Sequence, residues 1–366
     1  MLGTVVAGRY RLDELIGRGG MGSVWRATDT ALGRIVALKQ VHVAHLPDED
    51  ADLARERTMR EARIAAALNH PNAITVFDVV ADHGDPWLVL EYLRSRSLGM
   101  IIRDRGPLDP REAAVIGAAV AAALGAAHAA GIVHRDVKPE NILVATAEGQ
   151  PIGARSVVKL TDFGISHATT VQTITATGAL SGTPAYFAPE TARGEGTGPA
   201  TDMYSLGATL YAAVEGAPPF GRGPADNVLA LIVRISHGGA TAPAGAGPLT
   251  ELLTRLIADD PAERPSALEV GAELDDIADG AVGPIGGTGF TGAPAGTPAG
   301  APAGNRPTGT LVGMPAPRQR SRRWPGLVGL ALFVVIVIVS AVLTFTSSPQ
   351  PNPGLAPATP TTVTGP

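Results

Sequence analysis

The 366-residue chain contains no cysteine. That excludes a disulfide framework, a thiolate metal site and a cysteine nucleophile, so catalysis must rest on other groups, and it fits a reducing compartment. Lysine is nearly as scarce: only Lys39, Lys138 and Lys159 occur, and every other basic residue apart from histidine is Arg. Where such a chain keeps Lys, the position calls for a compact ammonium in place of a planar fork. A net charge of −5 and a pI near 5.9 supply no bulk basic face, so no nucleic-acid partner is expected. No basic, apolar, small-residue leader opens the chain, and the N-terminus is expected to stay in the cytosol.

What is present begins with a hydrophobic fraction of 45%, enough for a sizeable core in one large domain. From Tyr10 to about Asp279, short β-rich runs come first and Ala/Leu-rich segments of helical spacing follow. Strands are expected over 10–17, 23–28, 35–43, 74–82 and 87–92, the last two rich in β-branched or aromatic residues. Helices are expected over 52–68, 109–130, 199–215 and 249–258, the second opened by Asp109 as N-cap and Pro110 in the first turn. The fold class is therefore α+β and bilobed, a small β-rich N-lobe followed by a larger helical C-lobe.

Acidic residues stop at Asp279, and Gly, Pro, Ala and Thr dominate up to Pro317. Such a stretch buries no core and reads as a flexible juxtamembrane linker over 280–323. Arg318, Arg320, Arg322 and Arg323 then crowd beside Trp324, ahead of 20 uncharged residues from Gly326 to Phe345. At about 1.5 Å per residue this run matches the roughly 30 Å hydrocarbon layer. Four Arg before the run and none after it place the preceding part in the cytoplasm, with Trp324 at the interface. Only a Pro/Thr-rich tail, 346–366, would lie outside, too short and polar to fold.

Gly17-Arg18-Gly19-Gly20-Met21-Gly22-Ser23-Val24 fits a glycine loop that brings backbone close to phosphate. A dinucleotide fingerprint would need a helix next, whereas a strand is expected here. Val36-Ala37-Leu38-Lys39 then ends in one of the rare lysines, where an amine can reach phosphates beneath the loop. A carboxylate should steady that amine, and the 52–68 helix offers Glu56 and Glu61, of which Glu61 is chosen and Glu56 is read as solvated. His134-Arg135-Asp136-Val137-Lys138-Pro139-Glu140-Asn141 sets an acid, an amine and an amide at fixed offsets. Phosphoryl transfer needs a carboxylate to orient the attacking hydroxyl, a cation for developing charge and an oxygen ligand for Mg²⁺. Asp136, Lys138 and Asn141 meet those needs in turn, and Asp162 of Asp162-Phe163-Gly164 adds a hard oxygen ligand. Ala188-Pro189-Glu190 closes the segment.

With these motifs in order, the sequence resembles the protein kinase family, most closely the membrane-anchored, eukaryotic-like (Hanks-type) Ser/Thr kinases of bacteria, over about three quarters of the chain. The resemblance implies a catalytic domain near 8–275 that uses ATP and Mg²⁺, or Mn²⁺ in its place, to phosphorylate protein Ser and Thr. It implies that Ile16, Ala37, Glu91 and Leu143 line the ATP site with the glycine loop, and that Glu61 pairs with Lys39. It further implies that Asp202 steadies the catalytic loop and that Arg264 pairs with Glu190. Lys138 and Gly182-Thr183-Pro184 are arranged as in Ser/Thr enzymes of this type. Thr169, Thr170, Thr173, Thr175 and Thr177 lie between Asp162 and Glu190, and autophosphorylation is expected at Thr175 and Thr177, with Arg135 as phosphate partner. Family analogy implies that this proceeds through a homodimer. A pseudokinase scaffold and a small-molecule kinase are the rival readings; the intact Lys39, Asp136, Asn141 and Asp162 weigh against the first and the complete activation segment against the second.

Some features carry little. His42 and His45 lack a third ligand and read as surface histidines. The Ala-rich 109–130 helix has membrane-like composition but opens on Arg111 and Glu112, and is expected in the core. Residues 145–156 lengthen a loop without a functional account.

Overall fold

The computed structural model describes residues 1–19, 22–41, 59–60, 62, 64, 66–147, 150–163, 184–221 and 228–280. Gly20, Met21, His42, His45, Glu56, Glu61, Gly164, the threonines from Thr169 to Thr183, and the expected linker, apolar run and tail lie outside the described residues.

An antiparallel sheet of six strands forms the N-lobe: β1 (Val5–Val6), β2 (Tyr10–Gly19), β3 (Gly22–Asp29), β4 (Arg34–Gln40), β5 (Val76–Asp82) and β6 (Asp85–Glu91), in the order β1-β2-β3-β4-β6-β5. The five expected strands are all present. The 35–43 strand, however, ends at Gln40, and the two-residue β1 is an addition, because so short an edge carries no periodicity. One face of the sheet packs Tyr10, Leu12, Trp25, Val36, Leu38, Trp87 and Val89 into a compact apolar cluster. Alternation along β3 makes this possible, since successive side chains point to opposite faces. Asp29 pins the sheet's corner: its fully buried carboxylate accepts from Arg9 Nε and Nη2 at 2.8 and 2.7 Å and from the Ala31 and Leu32 amides.

The C-lobe is helical: α1 (Leu98–Arg105), α2 (Pro110–Ala129), α3 (Pro189–Arg193), α4 (Pro199–Glu215), α5 (Val228–His237), α6 (Thr250–Leu256) and α7 (Ala267–Ala278). A second, three-stranded sheet, β7 (Arg96–Ser97), β8 (Ile142–Ala145) and β9 (Val157–Leu160), joins them at the lobe boundary. Asp109 caps α2 by accepting from the Arg111 amide at 2.8 Å, and Pro110 occupies the first turn. Small residues then let its neighbours close in: a Cβ on Gly117 would lie 2.8 Å from both Leu210 and Leu274 side chains. Gly207 on α4 is tighter still, since a Cβ there would lie only 2.6 Å from that of Leu256. At both crossings an added methyl would force the overpacking that typically costs about 1–3 kcal/mol. Among the described residues α2 alone is long and apolar enough to cross a membrane, but it packs on α4, α7 and β9 and buries half of its most apolar window. It is a core helix, as expected. The 145–156 loop also finds a structural purpose: Ile152 is buried and its amide donates to Glu112 Oε1 at 3.1 Å.

Glu190 and Arg264 form a second buried anchor, Nη1 and Nη2 reaching the two carboxylate oxygens at 2.7 and 2.8 Å. Burial alone would push the Glu190 carboxyl up, but Arg264 and the Thr201 hydroxyl outweigh it and hold it below its ordinary value. The Arg9 hydrogen bonds, opposed by burial, hold Asp29 at about 2. Both folded values lie below the unfolded ones, so the stability they add is fully present above about pH 5 and is lost as pH falls through the folded values, about 2 for Asp29. Acid titration followed by circular dichroism should therefore show an unfolding limb in that window, shallower in Asp29→Asn; an unchanged slope would remove Asp29 from the account.

Candidate active site

The β2–β3 hairpin roofs the cleft. Gly22 takes φ +139°, a conformation that L side chains rarely adopt, just where the chain turns back, and Arg18 faces Ser23 and Gly19 faces Gly22 across the hairpin. Beside it β4 presents Lys39, paired in register with Val24. The Lys39 side chain is buried and its Nζ lies 2.7 Å from Asp162 Oδ1. The expected partner Glu61 lies outside the described residues, so the observed ion pair is with the residue expected to hold metal.

Asp136 sits on the loop between α2 and β8. Lys138 Nζ donates to both of its carboxylate oxygens at 2.8 Å, and Asn141 Nδ2 donates to its Oδ2 at 3.0 Å and its backbone carbonyl at 2.8 Å. The acid, amine and amide of the motif are thus in direct contact. His134 supports them from below. The Asp136 amide donates to His134 Nδ1 at 3.2 Å, so that nitrogen is unprotonated and Nε2–H donates to the Thr161 carbonyl at 2.9 Å. The Thr161 amide in turn donates to the Asn141 carbonyl at 2.9 Å, tying this loop to the residue before Asp162.

Beneath this lies Asp202, with 0% exposure. Its Oδ1 accepts from the Arg135 amide at 2.7 Å, and its Oδ2 from the His134 amide and His128 Nε2, both at 2.8 Å. Arg135 has φ +68°, a left-handed conformation that a non-glycine residue adopts only when its surroundings hold it there. The two charge-assisted amide bonds do so, and the strained residue sets the direction in which the chain enters Asp136. Asp162 is strained likewise, with φ +68°. Its burial would raise the carboxyl's pKa, but Lys39, with lesser help from Lys138, holds it below the ordinary range, so it remains an anion.

The cleft between these parts has a volume of about 490 Å³, within the range of small-molecule sites. Of the residues expected to bind nucleotide, Ile16, Gly17, Arg18, Val24, Ala37, Lys39, Glu91 and Leu143 line it, together with Asn141 and Asp162. Gly22 and Ser23 belong to the hairpin but not to the lining. Ile74, Met100 and Thr161 also line the cleft and escape sequence reasoning, because no local pattern marks a residue that reaches a pocket from a distant element. No cluster of three His, Asp or Glu suited to a metal exists among the described residues. The donor set nonetheless fits Mg²⁺: Asn141 has committed its nitrogen to Asp136 and keeps its oxygen, Asp162 is an ionised hard oxygen donor, and Mg²⁺ commonly takes one or two protein ligands plus phosphate and water.

Residues 10–273 match the model of the protein kinase domain. Serine/threonine-protein kinase PknK of Mycobacterium tuberculosis is 41% identical over 270 residues, 72% of this chain and 23% of the relative. Serine/threonine-protein kinase PknA of the same species is 42% identical over 224 residues, covering 60% and 49%. Probable serine/threonine-protein kinase PknB of Bifidobacterium longum is 38% identical over 255 residues, covering 67% and 35%. The chain therefore spans less than half the length of each of these relatives.

Replacing Asp202 tests the buttress. Asp202→Ala leaves two buried amides and His128 without their acceptor, and should cost about 2–4 kcal/mol in urea unfolding. Asp202→Asn, which keeps the volume and one acceptor oxygen, should lose less; an Asp202→Asn variant as stable as the parent would show that volume, not the paired carboxylate oxygens, matters there.

Proposed function

The chain belongs to the protein kinase family, and on that premise we propose that it transfers the γ-phosphate of ATP to Ser and Thr hydroxyls of proteins. The observation that carries this reading is the contact of Asp136 with Lys138 and with Asn141, the last of which lines a nucleotide-sized cleft. Asp136 orients the attacking hydroxyl and takes its proton as the oxygen bonds to the γ-phosphorus. The bond to the β-phosphate oxygen breaks and ADP leaves. Lys138, hydrogen-bonded to the reacting carboxylate in the absence of substrate, is near enough to shift to the transferring phosphoryl group, and Lys39 serves the phosphates at the roof. Val24, Ala37 and Leu143 offer an apolar slot for adenine. Asn141 and Asp162 are the residues to hold Mg²⁺, or Mn²⁺ in its place; the ion, when bound, neutralises phosphate oxygens and fixes their orientation. The strained backbone at Arg135 and Asp162, on either side of this centre, supports a preorganised site, since such strain clusters where geometry matters.

Regulation follows from Arg135. Its Nε is buried and finds no hydrogen-bond partner among the described residues. A phosphate on Thr175 or Thr177 would supply one and order the segment that ends at the Glu190–Arg264 anchor, with Thr183 shaping the substrate side. Glu61 completes the reading as the carboxylate that takes Lys39 from Asp162 and so frees the latter for metal. Transfer between copies in a homodimer would install the phosphate. The boundaries proposed are 8–275 for the catalytic domain, 280–323 for the linker, 326–345 for a single transmembrane helix and 346–366 for an extracytoplasmic tail. Four Arg before the uncharged run and none after it support a cytoplasmic kinase domain at the cell membrane.

The full-length chain incubated with Mg-ATP should gain phosphate on Thr175 or Thr177, mapped by mass spectrometry. Asp136→Asn should lower the rate by at least about 10²- to 10⁴-fold while still binding ADP. Equal phosphate gain in the variant would remove Asp136 from the chemistry.

A further inference from the structure

Of the three lysines, the proposed transfer uses Lys39 and Lys138 and leaves Lys159 without a task. Its Nζ, on β9 with 12% of the side chain exposed, donates to Glu91 Oε2 at 3.0 Å and to the Ala73 carbonyl at 3.2 Å. Three segments far apart in sequence meet at this ammonium. The first is 72–75, which leads into β5: Asn72 Nδ2 donates to the Val158 carbonyl at 3.0 Å, the Leu160 amide to the Asn72 carbonyl at 2.8 Å, and the Ile74 amide to the Leu160 carbonyl at 2.9 Å. The second is Glu91, the last residue of β6, whose amide donates to the Thr75 carbonyl at 2.9 Å and whose carboxylate also accepts from the Thr75 amide at 3.4 Å. The third is β9 itself, which ends two residues before Asp162.

This arrangement joins the two ends of the cleft. Glu91 begins the connector that runs along the apolar slot, while β9 delivers Asp162, which holds Lys39. A lysine suits the node: its tetrahedral ammonium reaches a carbonyl and a carboxylate lying in different directions, which a planar fork does less well. His70 adds no competing charge, because burial and then the Lys159 charge depress its pKa and keep it neutral at pH 7.

We propose that Lys159 is a positioning residue for nucleotide: by tying Glu91 to the strand that carries Asp162, it fixes the spacing between the adenine end and the phosphate end of the cleft. The proposal rests on the kinase reading. A merely structural residue, when lost, lowers the folded fraction and hence the maximal rate, but leaves the KM for ATP where it was. A spacing residue changes the affinity itself.

The test compares the full-length parent with Lys159→Met and Lys159→Arg, measuring kcat and KM for ATP and the Kd of ADP by calorimetry. Lys159→Met should raise both KM for ATP and Kd for ADP by about three- to tenfold, with KM for the protein substrate unchanged. Lys159→Arg, which keeps the charge, should lie closer to the parent. Values for Lys159→Met within about twofold of the parent would overturn the proposal, being less than the loss of one hydrogen bond to a charged group. A raised kcat at unchanged KM would overturn it too, making the clamp a restraint on the enzyme. A parent without turnover would defeat the kinase reading, whereas the ADP affinities would still decide the role of Lys159.

Discussion

The carboxylate of Asp202 is the constraint on which the rest of the site depends. It is fully buried at the start of α4, and a buried carboxylate is tolerable only when every lone pair it turns inward is answered. The answering groups are the amides of His134 and Arg135 and the ring of His128. Those bonds hold Arg135 left-handed, and that backbone in turn aims Asp136. From Asp136 the order passes through Asn141 to Thr161, and from there along the chain to Asp162 and across the cleft to Lys39 in the N-lobe sheet.

Polar bonds and apolar packing divide the labour. The helices of the C-lobe meet at Gly117 and Gly207 so closely that their relative placement is fixed by volume, which gives Asp202 a rigid platform. Packing of this kind sets where α4 lies but says nothing about the torsions of a loop above it. The hydrogen bonds to Asp202 supply that directional information. At the opposite face of the cleft, Lys159 and Glu91 play a comparable part for the segment linking β6 to the C-lobe.

Much of this architecture is legible in the sequence, for reasons that can be named. The helix over Pro199–Glu215 is located to the residue because Pro at its start and Gly216 after its end bracket an apolar run. The catalytic loop is legible because its chemistry is compressed into eight consecutive residues. Helix α7 is absent from the expected elements although Ser266 and Glu269 form a capping box, with amide-to-side-chain bonds of 2.8 and 3.4 Å, so its signal is present. Helices α1, α3 and α5 are short and open in segments that read as turns, and the two residues each of β1 and β7 are below the length at which alternation means anything. The pairing of Lys39 with Asp162 joins residues 123 positions apart, a relation that spacing along the chain does not encode. His128 gives no sign of its role either, although it lies on α2 only six residues before His134.

In the proposed function this buttressed loop moves a phosphoryl group onto aliphatic hydroxyls. The most direct measurement is to supply the chain with γ-labelled ATP, Mg²⁺ and a generic acceptor protein, and then hydrolyse the acceptor to its phosphoamino acids. Label is expected in phosphoserine and phosphothreonine, with none in phosphotyrosine. Label confined to phosphotyrosine, or released as inorganic phosphate with the acceptor bare, would contradict it.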